Sequence, residues 1–388
     1  MSTLIHSARL VSDGCITENG WVLFAGDTIA RVGDGDSFAE LVADPAAEVV
    51  DAEVIDAGGR WLTPGFVDIH CHGAGGAAFD EGPDAIATAL AVHRAHGTTR
   101  SALSLVTASV ADLERQLADV AAAADADPLV LGAHLEGPFL DVAHKGAHDP
   151  LLLRSATDDA IGRLLAAGRG RILQITIAPE LPGGMAAVEQ FAAAGVAVAV
   201  GHTGANYDVT REAFSRGATI LTHAFNGMDG IHHRAPGPVA AATHTDGVTI
   251  EVICDGVHVH PEVMRVTFAA APTRVALVTD AMAAAGAGDG EYRIGGLAVV
   301  VADGVARLRD GDSIAGSTLT QDEALRVAVE RVGLAIDVAV QALTETPARA
   351  IGRGHDLGRL HPGYAADAVL LDAELTVQRV WAAGRPVA

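Results

Sequence analysis

The sequence predicts an α/β protein: a (β/α)8 barrel with a small β domain built from both ends of the chain. Three observations carry this. From residue 66 onward, short apolar runs alternate eight times with stretches of helical character. The runs are rich in Val, Ile and Leu without apolar/polar alternation, the pattern of parallel strands buried on both faces. Six of the eight runs carry His, Glu or Asp at or just beyond their C-terminal ends, and the strand ends are where this architecture gathers its functional groups.

The elements follow in order. Residues 1 to about 62 read as short strands (4–11, 20–24, 28–32 and 49–56) separated by Asp-Gly and Gly-Asp turn signals. The barrel strands are expected at 66–73, 98–107, 129–139, 171–179, 196–203, 219–225, 248–254 and 275–280. Ser109 can cap the clearest helix, on which Leu113, Leu117 and Val120 recur at helical spacing. A hairpin is expected from 291–294 to 305–308 around Ala302-Asp303-Gly304. Helices are expected over about 317–353, with Ser317 or Thr320 as N-cap. The β-like tail (368–372 and 376–381) should pair with residues 1–62. The expected domains are therefore 1–62 with 356–388, and 63–355.

Bulk properties narrow the function. Of 388 residues, 49 are acidic and 26 basic, a net charge of −23. That balance argues against nucleic acid or an anionic membrane as partner, and any anionic substrate would need a local basic site. Three cysteines, Cys15, Cys71 and Cys254, give no disulfide framework and suggest a reducing compartment. The N-terminus lacks a basic start followed by a long apolar run. The apolar run 192–200 is far short of the ~20 residues that span a bilayer. The expectation is a soluble cytoplasmic protein.

At the strand ends, His70 and His72 are one residue apart, so a strand would point both to one face. Strand three offers His134-Leu135-Glu136-Gly137-Pro138-Phe139; strand five, Gly201-His202-Thr203; strand six, Thr222-His223-Ala224-Phe225-Asn226-Gly227-Met228. Strand seven leads to Asp255-Gly256-Val257-His258, and strand eight to Thr279-Asp280-Ala281-Met282. Singly these have ordinary readings: Glu136 as an ion-paired or capping carboxylate, His202 as a satisfied core histidine. Together, imidazoles and a carboxylate suit a borderline divalent ion such as Zn2+.

These motifs also carry a resemblance. Pro64-Gly65-Phe66-Val67-Asp68-Ile69-His70-Cys71-His72 resembles the start of the amidohydrolase superfamily. The segments at 134–139, 201–203, 222–228, 255–258 and 279–282 narrow the resemblance to its N-acetylglucosamine-6-phosphate deacetylase family. The resemblance implies an amidohydrolase-type barrel with a small β-sandwich. It implies one ion held by Glu136, His202 and His223, with Asp280 as catalytic acid/base and His258 toward the substrate carbonyl. Ala147, His148, Asn226, Gly227, Arg234, Ile314, Ala315 and Gly316 match substrate-binding positions. Arg234 matches a phosphate contact reaching the neighbouring subunit's site, which implies a homodimer.

Members of this family with a His-x-His can hold a second ion, so His70 and His72 open that option, with Glu136 bridging. Strand four has no lysine, which excludes the carboxylated-lysine bridge of other amidohydrolases. Zn2+ is the expected ion, with Fe2+, Co2+ and Mn2+ as alternatives.

The implied reaction is metal-dependent hydrolysis of the N-acetyl group of a phosphorylated amino sugar. Phosphate recognition falls to Arg234, with His232 and His233 beside it, and to His148 in the 141–148 loop, a candidate lid. Two rivals remain: an amidohydrolase of unphosphorylated amino sugars or acyl amino acids, and a non-catalytic protein on the same fold. Cys71 and Cys254 read as packing residues. His6, His93, His96, His244, His355 and His361 read as surface or structural.

Overall fold

The protein is described here by a computed structural model covering residues 2–39 and 52–387. The chain divides into two compact units, residues 1–67, 93–100 and 321–388, and residues 68–92 and 101–320.

In the first unit, the chain ends build one sheet. Its order is Arg385–Pro386, Val377–Ala382, Ala368–Leu371, Trp61–Pro64, Ser2–Ser12, Cys15–Ala25, Thr28–Asp34, with Glu53–Asp56 also pairing Ser2–Ser12. The tail therefore pairs as the sequence suggests: Ala368–Leu371 runs antiparallel to Trp61–Pro64. Of the strand expected at 49–56, Glu53–Asp56 forms, and residues 49–51 lie outside the described residues. Side-chain alternation makes both faces apolar: Ile5, Val22 and Phe24 join Leu62 and Trp381 in one cluster, while Leu4, Trp21 and Leu23 form another. Arg100 and Asp367 form a buried ion pair, Nε to Oδ2 at 2.6 Å.

The parallel sheet has eight strands in chain order: Phe66–Asp68, Thr98–Val106, Val130–Glu136, Ile172–Ile177, Ala197–Val200, Ala218–Leu221, Thr249–Ile253 and Val275–Val278. Almost every residue in them is buried, which is why they read as apolar runs. The ends of strands eight and one meet through Thr279 Oγ1, donating to Asp68 Oδ2 at 2.6 Å, and Asp280 N–H, donating to His70 O at 2.8 Å. Helix Val110–Ala126 starts where expected: Ser109 accepts from Asp112 N–H, and Leu113, Leu117 and Val120 are buried.

Three readings need correction. The strand carrying the two histidines ends at Asp68, so His70 and His72 stand in the loop beyond it and strand alternation does not align them. The expected hairpin is a three-stranded sheet, Gly290–Ile294, Leu297–Ala302 and Val305–Leu308. Its second turn is as read, with positive φ at both Asp303 (51°) and Gly304 (73°). Of the two N-caps considered for the helices from about 317, Ser317 is not one: its hydroxyl is engaged with Thr279 O and accepts from Leu319 N–H, and the first helix begins at Gln321, directly after Thr320.

Candidate metal and active site

Strand ends deliver the site residues through tight backbone turns. His202, His223 and Asp280 each follow the last strand residue by two positions, and each has positive φ (47°, 24° and 48°). Left-handed backbone is costly for residues with a Cβ, and such strain gathers at functional sites. These turns swing the side chains off the strand direction and toward one another.

They converge on Glu136. Its Oε1 lies 3.3 Å from His70 Nε2, 3.2 Å from His202 Nε2 and 3.1 Å from His223 Nε2. Its Oε2 lies 3.1 Å from His72 Nε2 and 3.4 Å from His148 Nε2. Asp280 Oδ1 faces His72 Nε2 at 3.3 Å and His70 Nε2 at 3.5 Å. The Nε2 atoms of His202 and His223 are 3.0 Å apart, those of His70 and His72 3.3 Å. Tetrahedral zinc with Zn–N bonds of about 2.0–2.1 Å sets neighbouring ligand nitrogens about 3.3 Å apart. Nitrogens crowded this closely, with a carboxylate among them, fit a divalent cation.

The electrostatics agree. Burial acts against charge on His70, but Glu136 and Asp280 beside it hold its pKa well above the usual histidine value. His72 is likewise opposed by burial yet raised to about 9 by Asp280 and Glu136. Burial opposes ionisation of Glu136, and the imidazoles around it hold its carboxyl well below the usual range. Burial pushes His148 down to about 4 despite Glu136. The buried carboxylates thus favour positive charge in the space they share, and the cluster is compatible with a metal ion there.

A cavity of about 320 Å3 opens on this cluster. Glu136, His202, His223, His258 and Asp280 line it, together with Ala147, His148, Asn226, Gly227, Ile314 and Gly316. His70 and His72 are buried and do not line it. Neither does Ala315, which packs with Val106 and Met282 in an apolar cluster. Arg234 is exposed, as are His232 and His233, and none lines this chain's cavity. The 141–148 loop clasps His202 from both sides: His144 O lies 2.8 Å from His202 Nδ1, and Asp141 N–H donates to His202 O at 2.9 Å.

Sequence reasoning missed the supports. Asp255 Oδ2 lies 2.6 Å from His258 Nδ1. Burial alone would lower the His258 pKa, but Asp255 and Asp280 raise it. Glu251, fully buried on the seventh barrel strand, faces His70 Nδ1 at 3.2 Å. A lone charge in the apolar run Thr249–Ile253 was the available signal. His134 bridges Ser104 and Thr176 inside the barrel, at 2.9 Å on each side. His260 is an N-cap, accepting from Glu262 N–H.

Fold and site define the class. The chain belongs to the amidohydrolase family, whose model matches residues 61–387. It is similar to N-acetylgalactosamine-6-phosphate deacetylase of Escherichia coli O157:H7, 36% identical over 390 residues and 99% of both chains. It is 33% identical to N-acetylglucosamine-6-phosphate deacetylase of Vibrio furnissii, over 87% of this chain and 85% of the relative. A solved structure of a variant of N-acetyl-D-glucosamine-6-phosphate deacetylase from Mycobacterium smegmatis, in complex with N-acetyl-D-glucosamine-6-phosphate, superposes with a TM-score of 0.93. It has 42% identity and covers 100% of this chain and 99% of that one.

Proposed function

We propose that this protein hydrolyses the N-acetyl group of N-acetylglucosamine 6-phosphate, giving glucosamine 6-phosphate and acetate in amino-sugar and cell-wall precursor metabolism. The observation that carries the reading is the convergence of Glu136, His202 and His223 beside Asp280 on one wall of the cavity. The named relatives supply the substrate class.

Glu136, His202 and His223 would hold a divalent ion, Zn2+ by donor type, and His70 with His72 would complete a place for a second. Such an ion supplies Lewis acidity, lowering the pKa of water and polarising a carbonyl. Asp280, held below the usual carboxyl range because His70 and His72 outweigh the opposing effect of burial, is ionised and can take a proton from the attacking water. It then delivers that proton to the departing amine. His258 donates to the carbonyl oxygen as negative charge develops there. Asn226, Gly227, Ala147, His148 and the 314–316 segment would seat the sugar.

Arg234, exposed and outside its own chain's cavity, would reach the phosphate in a neighbouring copy, making the working form a homodimer. Residues 63–355 would form the hydrolase domain, and 1–62 with 356–388 the β domain. We place the reaction in the cytoplasm, where sugar phosphates are retained; among the described residues no helix is long and apolar enough to cross a membrane.

The test is acetate release from N-acetylglucosamine 6-phosphate, N-acetylgalactosamine 6-phosphate and unphosphorylated N-acetylglucosamine, before and after chelation, with Zn2+ returned. Chelator-sensitive turnover favouring the first substrate supports the proposal. Preference for the galactosamine epimer would reassign the substrate, and equal turnover of the unphosphorylated sugar would remove the phosphate role of Arg234 and His148.

A further inference from the structure

Glu251 is a carboxylate at the midpoint of strand Thr249–Ile253, with no exposed surface. Nothing in the proposed reaction uses it, and burying a carboxylate is unfavourable unless it is fully engaged. Three donors address it. Gln174, also fully buried, places Nε2 at 2.7 Å from Oε1. His70 Nδ1 stands 3.2 Å from Oε2, and His223 N–H donates to the same oxygen at 3.3 Å. The Glu251 carbonyl accepts from Ala224 N–H at 2.8 Å. One residue therefore grips the His70 ring and the backbone on both sides of the His223 carbonyl.

The consequence concerns a proton. Imidazole carries its hydrogen on one nitrogen, and a metal needs the other bare. Around His70 Nε2 stand Glu136 Oε1 and Asp280 Oδ1, at 3.3 and 3.5 Å. Both invite the hydrogen onto the nitrogen that must coordinate. A carboxylate at Nδ1 is the counterweight. The geometry points to Glu251, oriented by Gln174, as a positioning residue that keeps the His70 hydrogen on Nδ1. It also ties the His70 and His223 ligand loops together, so one buried carboxylate governs ion binding on both sides of Glu136. This inference rests on the metal site of the proposed function, but not on its substrate.

Two substitutions separate orientation from charge. In Glu251→Gln, the amide oxygen can still accept from His70 and His223, provided its NH2 finds an acceptor. Gln174 Oε1, which has no hydrogen-bond partner, provides one if the Gln174 amide turns over. Glu251→Leu removes both side-chain acceptors and keeps only the backbone carbonyl that accepts from Ala224 N–H. The readouts, on the full-length protein, are Zn2+ affinity by chelator competition, zinc stoichiometry by elemental analysis, and the His70 nitrogen that keeps its hydrogen, from 15N shifts of the zinc-loaded, 15N-histidine-labelled protein. Expected are Nδ1–H in the parent and in Glu251→Gln, and Nε2–H or a mixture in Glu251→Leu.

Zn2+ affinity should fall about 10–100-fold in Glu251→Leu, the usual cost of losing a partner behind a metal ligand, and less in Glu251→Gln. If Glu251→Leu fails to fold, Glu251→Gln decides. Unchanged affinity in Glu251→Leu, or a zinc-loaded parent whose His70 keeps its hydrogen on Nε2, would overturn the inference. No substrate enters these measurements, so a failed deacetylase assay leaves them standing, and their failure leaves the deacetylase assay intact.

Discussion

Asp255 holds His258 twice: Oδ2 lies 2.6 Å from the ring Nδ1, and Oδ1 accepts the His258 backbone N–H at 2.9 Å. With its Nδ1 hydrogen given to a carboxylate, His258 can donate from Nε2 only as the imidazolium. Asp255 and Asp280 favour that form against burial. The sign follows: activity is present below the raised His258 pKa and is lost as pH rises through it. Asp255→Asn removes the charge and should move the basic limb of the kcat/KM profile to lower pH. A basic limb that stays in place would separate His258 from the reaction.

Asp280→Asn should lower kcat about 10³-fold, within the range for loss of a positioned acid/base. Zinc content should remain near that of the parent, because Glu136, His202 and His223 are untouched. Turnover within tenfold of the parent would remove Asp280 from the proton path.

Gly227 has φ +57°, and a Cβ there would lie 2.7 Å from His202 Nδ1. The nitrogen it would press against lies 2.8 Å from His144 O. Gly227→Ala should therefore displace the His202 ring, weaken Zn2+ binding about tenfold, and cost about 1–2 kcal/mol in backbone strain. Chelator competition and thermal unfolding read the two effects separately.

Arg100→Met tests stability away from the site. Arg100 and Asp367 are both less than a tenth exposed in their side chains, and Asp367 Oδ1 also accepts from Ala383 N–H. Removing one partner of a buried pair strands the other charge, at about 3–5 kcal/mol. Denaturant unfolding should show that loss, and Arg100→Met with Asp367→Leu should recover part of it.

Much of this was legible before folding. Strands buried on both faces leave a plain record, so all eight parallel strands were found from apolar runs; Leu297–Ala302 is an apolar run too, but it lay between the two strands expected to pair directly as a hairpin and was not read as a strand of its own. Glu136, His202, His223 and Asp280 stood out because chemistry at strand ends demands particular residue types. Glu251 and the supporting role of Asp255 did not, because a supporting residue is recognised by what it touches.

The sequence by itself determined the barrel, the pairing of both chain ends in one sheet, and the donor types that suit a divalent ion. Residue identity and local periodicity are sufficient for those. Only the tertiary structure decided that His70 and His72 meet beyond their strand, that left-handed turns aim His202, His223 and Asp280 at Glu136, and that Arg234 lies outside its own cavity. It also decided that Glu251, 181 positions from His70, lies behind that ring. Such relations depend on which distant segments the nearly closed sheet makes neighbours, a consequence of its curling into a barrel that no local window of sequence contains.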